Sequence, residues 1–184
     1  MLELEGDFYG AVDKYLKAIE LDSESISARF CLAFLYDRYD MFDEAIAQYK
    51  LILEREIYHA KSLLNLSNLY IQLGNIWDAI DYFKRLIQLM PENNDIWNTL
   101  GELYILGEYN KDAAVAFEKS LSINPFQESI NIALAQIQYD TYITQSNGLK
   151  KADIARRIQF ALSLNPENQI GKELLKKLKV NTGR

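Results

Sequence analysis

The alanines at 11, 45, 79 and 113 lie 34 residues apart, and four other registers keep the same step. Tyr15, Tyr49, Phe83 and Phe117 form the second, and Tyr36, Tyr70 and Tyr104 the third. Leu32, Leu66, Leu100 and Leu134 form the fourth, each followed by a small residue: Ala33, Ser67, Gly101 and Ala135. Pro91 and Pro125 form the fifth. A fixed step of this length means one supersecondary unit repeated and stacked, not a single irregular core. Within each period the apolar residues recur at i, i+3, i+4 and i+7, so each unit reads as two amphipathic helices. The small residues let the paired helices approach, and the aromatics fill the space beside them. Gly and Pro number only 11 of 184 residues. That suits short helical turns and excludes a β protein needing a turn every ~8–12 residues.

The content of the period resembles the tetratricopeptide repeat (TPR) family. Trp97-Asn-Thr-Leu100-Gly101-Glu-Leu-Tyr104 carries the first half of that family's pattern, and Ala113-x3-Phe117 with Pro125 completes it. Leu66-Ser67-Asn-Leu-Tyr70, Ala79-x3-Phe83 and Pro91 match nearly as well. Unit 26–59 departs from it, with Arg29 in the Trp place and Ile57 in the Pro place. The resemblance covers residues 6–168 and implies an all-α fold. That fold is a right-handed α-α superhelix of stacked helix-turn-helix repeats, closed by a C-terminal capping helix.

The expected organisation is one solenoid domain over 1–184. Residues 6–25 form a partial repeat with its second helix only, because Gly6-Asp7-Phe8 aligns with a turn. Full repeats follow at 26–59, 60–93 and 94–127. Residues 128–168 form a repeat with seven extra residues, since Pro125 and Pro166 are 41 apart. The excess falls within Tyr139–Lys150, as a longer first helix or a longer turn at Ser146-Asn147-Gly148. Residues 169–180 make the capping helix, with Lys172, Lys176, Lys177 and Lys179 on its polar side. Turns within units are expected at Tyr39-Asp40, Leu73-Gly74-Asn75 and Gly107-Glu-Tyr-Asn110, the last slipped by one residue. Asp40, Asn75 and Asn110 are the expected N-caps, with Asp43-Glu44, Asp78 and Asp112 in the first turns behind them.

Enzymatic chemistry finds little footing. The sequence has no phosphate loop, dinucleotide fingerprint or metal-spaced cluster. One Cys and one His exclude a disulfide framework and a Cys-rich zinc site. Cys31 reads as a buried structural thiol and His59 as an exposed residue at a unit junction. The sequon Asn65-Leu-Ser67 falls mid-helix in a chain without an apolar leader. The chain is therefore expected to be cytoplasmic, non-enzymatic and without a cofactor. No stretch approaches the ~18 apolar residues of a membrane span.

What the sequence offers instead is a surface. The resemblance implies that the first helices line a concave groove that takes an extended peptide or a partner's helix. The groove positions are Phe30, Phe34, Asp37 and Arg38, then Lys61, Leu64, Asn65, Asn68, Ile71 and Gln72. They continue with Asp95, Asn98, Glu102 and Ile105, then Ser129, Ile132, Gln136 and Tyr139. Asn65, Asn68, Asn98 and Gln136 can each pair with a peptide backbone as donor and acceptor. The apolar members are expected as exposed pockets of a contact surface.

Some family members clamp the C-terminal carboxylate of Hsp70 or Hsp90 with Lys, Asn, Asn, Lys and Arg. Here Phe30 and Phe34 stand in the first two places, and Asp95 and Thr99 in the last two. A carboxylate would be repelled by the Asp, so no such clamp is expected.

A second role is assembly through the N-terminal end, where Phe8, Val12, Tyr15 and Leu16 lack a cover, or through the basic C-terminal end. This self-association reading includes the possibility of a piece of a larger TPR protein. The charge is uneven: residues 1–149 hold 11 basic and 23 acidic groups, and 150–184 hold 9 and 3. The net charge of −6 puts nucleic acid behind protein as a partner.

Overall fold

The computed structural model describes residues 2–144 and 149–180, with side chains from residue 8 onward. Among these residues there are ten α-helices and no strand. They are α1 (Leu2–Leu21), α2 (Ile26–Arg38), α3 (Phe42–Arg55), α4 (Ala60–Gln72) and α5 (Ile76–Leu89). Then follow α6 (Asn94–Leu106), α7 (Asn110–Ile123), α8 (Glu128–Thr144), α9 (Lys151–Leu164) and α10 (Gln169–Val180). The chain divides into two compact units, Met1–Pro91 and Glu92–Arg184.

In the first unit α2 packs on α3 and α4 on α5, with α1 against α2 and α3 against α4. The registers supply the core: Leu32, Ala33, Ala45, Tyr49, Leu66, Ala79 and Phe83 are all buried. Ser67 is also buried, and its hydroxyl donates to the Leu63 carbonyl at 2.6 Å, so the small polar residue is satisfied within its own helix. In the second unit α6 packs on α7, α7 on α8, α8 on α9, and α10 on α9 and α8. Phe117 lies at the centre of a cluster with Ala113, Ile130, Leu134 and Ile137. Gly101 faces it so closely that an added Cβ would lie 2.4 Å from the ring.

The turns inside the helix pairs follow a sixth register. Asp40, Gly74 and Glu108 all have left-handed backbone, with φ of 58°, 75° and 65°. Each closes a Schellman motif. Met41 N–H donates to Tyr36 O, Asn75 N–H to Tyr70 O, and Tyr109 N–H to Tyr104 O, at 2.8–3.0 Å. The turn of the third pair therefore does not slip. Glu108 takes the left-handed position, and Gly107 beside it has φ −85°. A glycine out of register had mimicked a shifted turn.

Two of the three expected N-caps are corrected: Asp40 is the left-handed residue and Asn110 is already helical. Asn75 does stand at the N-cap of α5, without a side-chain cap bond. Side-chain caps lie instead on the first helices, at Ser25, His59 and Asn93, again 34 apart. His59 is thus half-buried rather than an exposed junction residue, and its Nδ1 accepts from Ser62 N–H. The acidic residues expected in the following first turns are there: Asp43, Glu44, Asp78 and Asp112.

Two further expectations change. No turn forms at Gly6-Asp7-Phe8, because α1 runs through it unbroken. A single helical Gly costs about 1 kcal/mol, and Phe8 offsets that by packing on the Tyr39 and Tyr36 rings at 4.4 and 6.4 Å. Phe8 is consequently covered and Val12 and Tyr15 are half-buried, which leaves only Leu16 of that group exposed. Cys31 is half-buried, not buried. Part of the extra length near residue 140 is helical: α8 has 17 residues where α2, α4 and α6 have 13. Ser146-Asn147-Gly148 lies outside the described residues.

Candidate partner-binding faces

The sequence-selected positions fall into rows that differ in accessibility. Phe34, Asn68 and Glu102 are exposed and Gln136 is half-buried, so this row faces outward on α2, α4, α6 and α8. In the next row Phe30 and Asn98 are half-buried, Leu64 is exposed and Ile132 is buried. The Phe30 ring stacks on Phe34 at 6.5 Å and meets His59 edge-on at 5.6 Å. Asn98 donates to Gln127 Oε1 at 2.6 Å.

Two positions are corrected outright. Ile132 is 5% and Tyr139 7% exposed, both within the cluster of Ile154, Ile158, Leu174 and Leu178. The helix α10 covers them, so they stabilise the end of the second unit and offer no surface. Their apolar character signals core here, one helical step away from the outward row.

In the first unit α2 and α4 are neighbours and bring together most of the usable positions. Phe34 is 45% and Leu64 41% exposed. Asn65 donates to the Tyr49 hydroxyl at 3.0 Å, which fixes its amide and leaves the carbonyl oxygen as an acceptor. Burial pushes the Tyr49 hydroxyl up to about 12, with Asp37 adding to the effect. Asp37 is half-buried, and desolvation followed by the nearby Asp40 charge raises its carboxyl above the ordinary value. Asn68, Lys61, Arg38 and Gln72 are exposed around this patch, and Ile71 is half-buried.

The second unit offers a more polar face. Asp95, Glu102, Ile105 and Ser129 are exposed. The amides expected to bind a peptide are partly engaged within the protein: Gln136 donates to both Asp140 oxygens, and Asn98 is held by Gln127. The Asn98 carbonyl oxygen is buried without a hydrogen-bond partner.

Sequence reasoning passed over Gln127 and Tyr49 as organisers of these faces. Gln127 also accepts from Asn94, and its amide donates to Ser120 Oγ at 2.8 Å. The signal was present, because Ser25, His59, Asn93 and Gln127 share the 34-residue step. Their side chains differ too much for a similarity of residue type to reveal it.

Among the described residues no group of His, Cys, Asp and Glu is placed to hold a metal ion. No described helix is long and apolar enough to cross a membrane. Antiparallel helix pairs on a 34-residue step, with a mixed apolar and amide face, define a helical-repeat module of the kind that binds other proteins. The chain is a tetratricopeptide-repeat protein. The family's model matches residues 60–93 and 95–127.

A TPR repeat-containing protein of Methanocaldococcus jannaschii is 30% identical over 176 residues, covering 87% of this chain and 30% of its own. The chain spans less than a third of the length of the curated relatives it matches. Among solved structures, YrrB, described as a TPR protein with an unusual peptide-binding site, superposes with a TM-score of 0.71 at 17% identity. It covers 90% of this chain and 82% of its own. MamA superposes with a TM-score of 0.67 at 21% identity, covering 89% of this chain and 92% of its own. Both likenesses concern the fold.

Proposed function

We propose that the protein is a non-catalytic adaptor whose α2–α4 face holds an extended segment of a partner protein. The observation that carries this reading is the exposed Phe34–Leu64 pair bordered by Asn65 and Asn68. An apolar side chain of the partner would cover Phe34 and Leu64, contributing ~25 cal/mol for each Å² removed from water. The Asn65 carbonyl and the Asn68 amide would pair with the partner's backbone, which holds a strand-like segment without selecting its side chains. The α2–α4 lining is not arranged for a C-terminal carboxylate, because Phe34 and Asp37 stand there and Asp37 adds negative charge.

The test uses peptides selected from a displayed random library on the wild-type protein. Leu64→Glu and Asn68→Ala should each weaken the selected peptides at least ~10-fold, with unchanged melting. Full affinity in both variants would refute the site. A C-terminal Met-Glu-Glu-Val-Asp peptide should show no micromolar binding.

A further inference from the structure

On the second-helix side of the Glu92–Arg184 unit, α7, α8, α9 and the turn at Pro125 border an open cavity of about 480 Å³. This is a different surface from the first-helix faces. Its walls include Leu121, Pro125 and Phe160, and its polar lining includes Asn131 and Arg157. The Arg157 side chain is half-buried and held in place from α8. Its Nε donates to Gln138 Oε1 at 3.2 Å, and one terminal nitrogen donates to Asn131 Oδ1 at 3.3 Å. Asn131 is itself buried and anchored, donating to the carbonyls of Pro125 and Gln127.

No ion pair joins Arg157 to a carboxylate among the described residues. Asp153 also lines the cavity but is paired with Arg156, so the two cancel and Arg157 leaves a net positive charge. Glu118 on α7 acts on Arg157 only from beyond ion-pair distance. Desolvation correspondingly lowers the Arg157 value, the direction expected of a cation lacking a close counter-charge. At the rim Phe126 is 70% exposed, with its ring 6.1 Å from Phe160. A positioned guanidinium under an aromatic rim suits one carboxylate carried next to an apolar side chain.

We infer that this cavity is a second docking site, taking an acidic peptide segment in which a Glu or Asp side chain reaches Arg157 and an adjacent apolar residue packs on Phe126 and Phe160. Charge chooses this occupant over nucleic acid. A run of phosphates along the cleft would meet Asp153 in its lining and the Glu118 charge, whereas one carboxylate directed at Arg157 need meet only the guanidinium. The isolated basic excess of residues 150–184 within an acidic chain gives the approach its direction.

The test is a nuclear magnetic resonance titration of the full chain with the blocked peptide Glu-Phe-Glu-Leu-Glu. The Arg157 Nε–H and the Arg156 and Phe160 amides should shift and saturate. The Gln-for-Glu peptide should bind about tenfold weaker or less, as should Arg157→Gln with the acidic peptide. Phe126→Ser alters only an exposed ring, and it should weaken binding with the fold intact even if Arg157→Gln does not fold. Leu64→Glu should change nothing, which separates this site from the α2–α4 face. The inference is overturned by equal binding of the two peptides, by shifts that map elsewhere or are absent at millimolar peptide, or by unchanged affinity in Phe126→Ser. Tighter binding of oligouridylate at the same resonances would overturn it in favour of nucleic acid.

Discussion

Gly101→Ala isolates the close approach on which each helix pair depends. The new methyl carbon would lie 2.4 Å from Phe117 Cε1, 2.6 Å from Cδ1 and 2.9 Å from Cζ. Carbon atoms prefer ~3.5–4.0 Å, so the ring or α6 must give by about 1 Å. Phe117 has nowhere to go, being fully buried among Ala113, Ile130, Leu134 and Ile137. Overpacking of this kind costs ~1–3 kcal/mol. Replacing a mid-helix Gly returns ~0.5–1 kcal/mol, so the net loss should be about 1–2 kcal/mol. In urea, with a slope of ~1–3 kcal/mol per molar, the midpoint by circular dichroism should fall by roughly 0.5–1 M. The double variant Gly101→Ala/Phe117→Leu should cost less than the sum of its single changes. An unchanged or higher midpoint for Gly101→Ala would refute the steric argument.

Other predictions follow from the turns, the caps and the buried tyrosine. Glu108→Gly should raise stability by about 0.5–1 kcal/mol, because left-handed backbone costs a side-chain-bearing residue ~1–2 kcal/mol and Gly pays part of that back as entropy. Asp40→Gly should gain less, since Asp tolerates that conformation better; a loss of stability in either urea melt would contradict the assigned turns. Asn93→Ala removes an acceptor for the Asp95 and Ile96 N–H groups and should cost ~1 kcal/mol by the same assay.

Tyr49 titrates at about 12 in the folded protein against 10.0 for the free side chain. Its folded value is raised, so its contribution is complete below pH 10 and is lost as pH climbs toward 12. Tyr49→Phe should flatten that part of the stability–pH curve, although Tyr36 and Tyr82, also raised by burial, keep some slope. An identical curve for the variant would contradict the burial assigned to Tyr49.

The repeat was legible because packing demands similar volumes at similar places. Ala45, Ala79 and Ala113 are small, and Tyr49, Phe83 and Phe117 large, wherever the helix pair must close. The backbone registers were less visible. A left-handed turn accepts Asp40, Gly74 or Glu108, and a cap acceptor can be Ser25, His59 or Asn93, so chemistry recurs without residue identity. At the candidate site the period selected positions on α2, α4, α6 and α8 without separating the outward row from the buried positions beside it. Phe34 and Ile132 are both apolar, yet one faces solvent and the other lies beneath α10. That difference depends on α10, which starts 41 residues after α8, so the extra length near residue 140 takes it off the 34-residue step. The Arg157 cavity was hidden for another reason, since its residues come from three helices and a turn and only Pro125 among them belongs to a visible register.

The most direct test of the adaptor reading is site-specific photo-cross-linking in the cells that make the protein. A benzophenone amino acid would replace Phe34, Asn68 or, as a control on the opposite helix of a pair, exposed Val115. The account predicts a discrete adduct with the same partner polypeptide at 34 and 68, lost when Leu64→Glu is added, and absent at 115. Adducts at 115 alone, or none at 34 and 68 while the partner still copurifies, would contradict it.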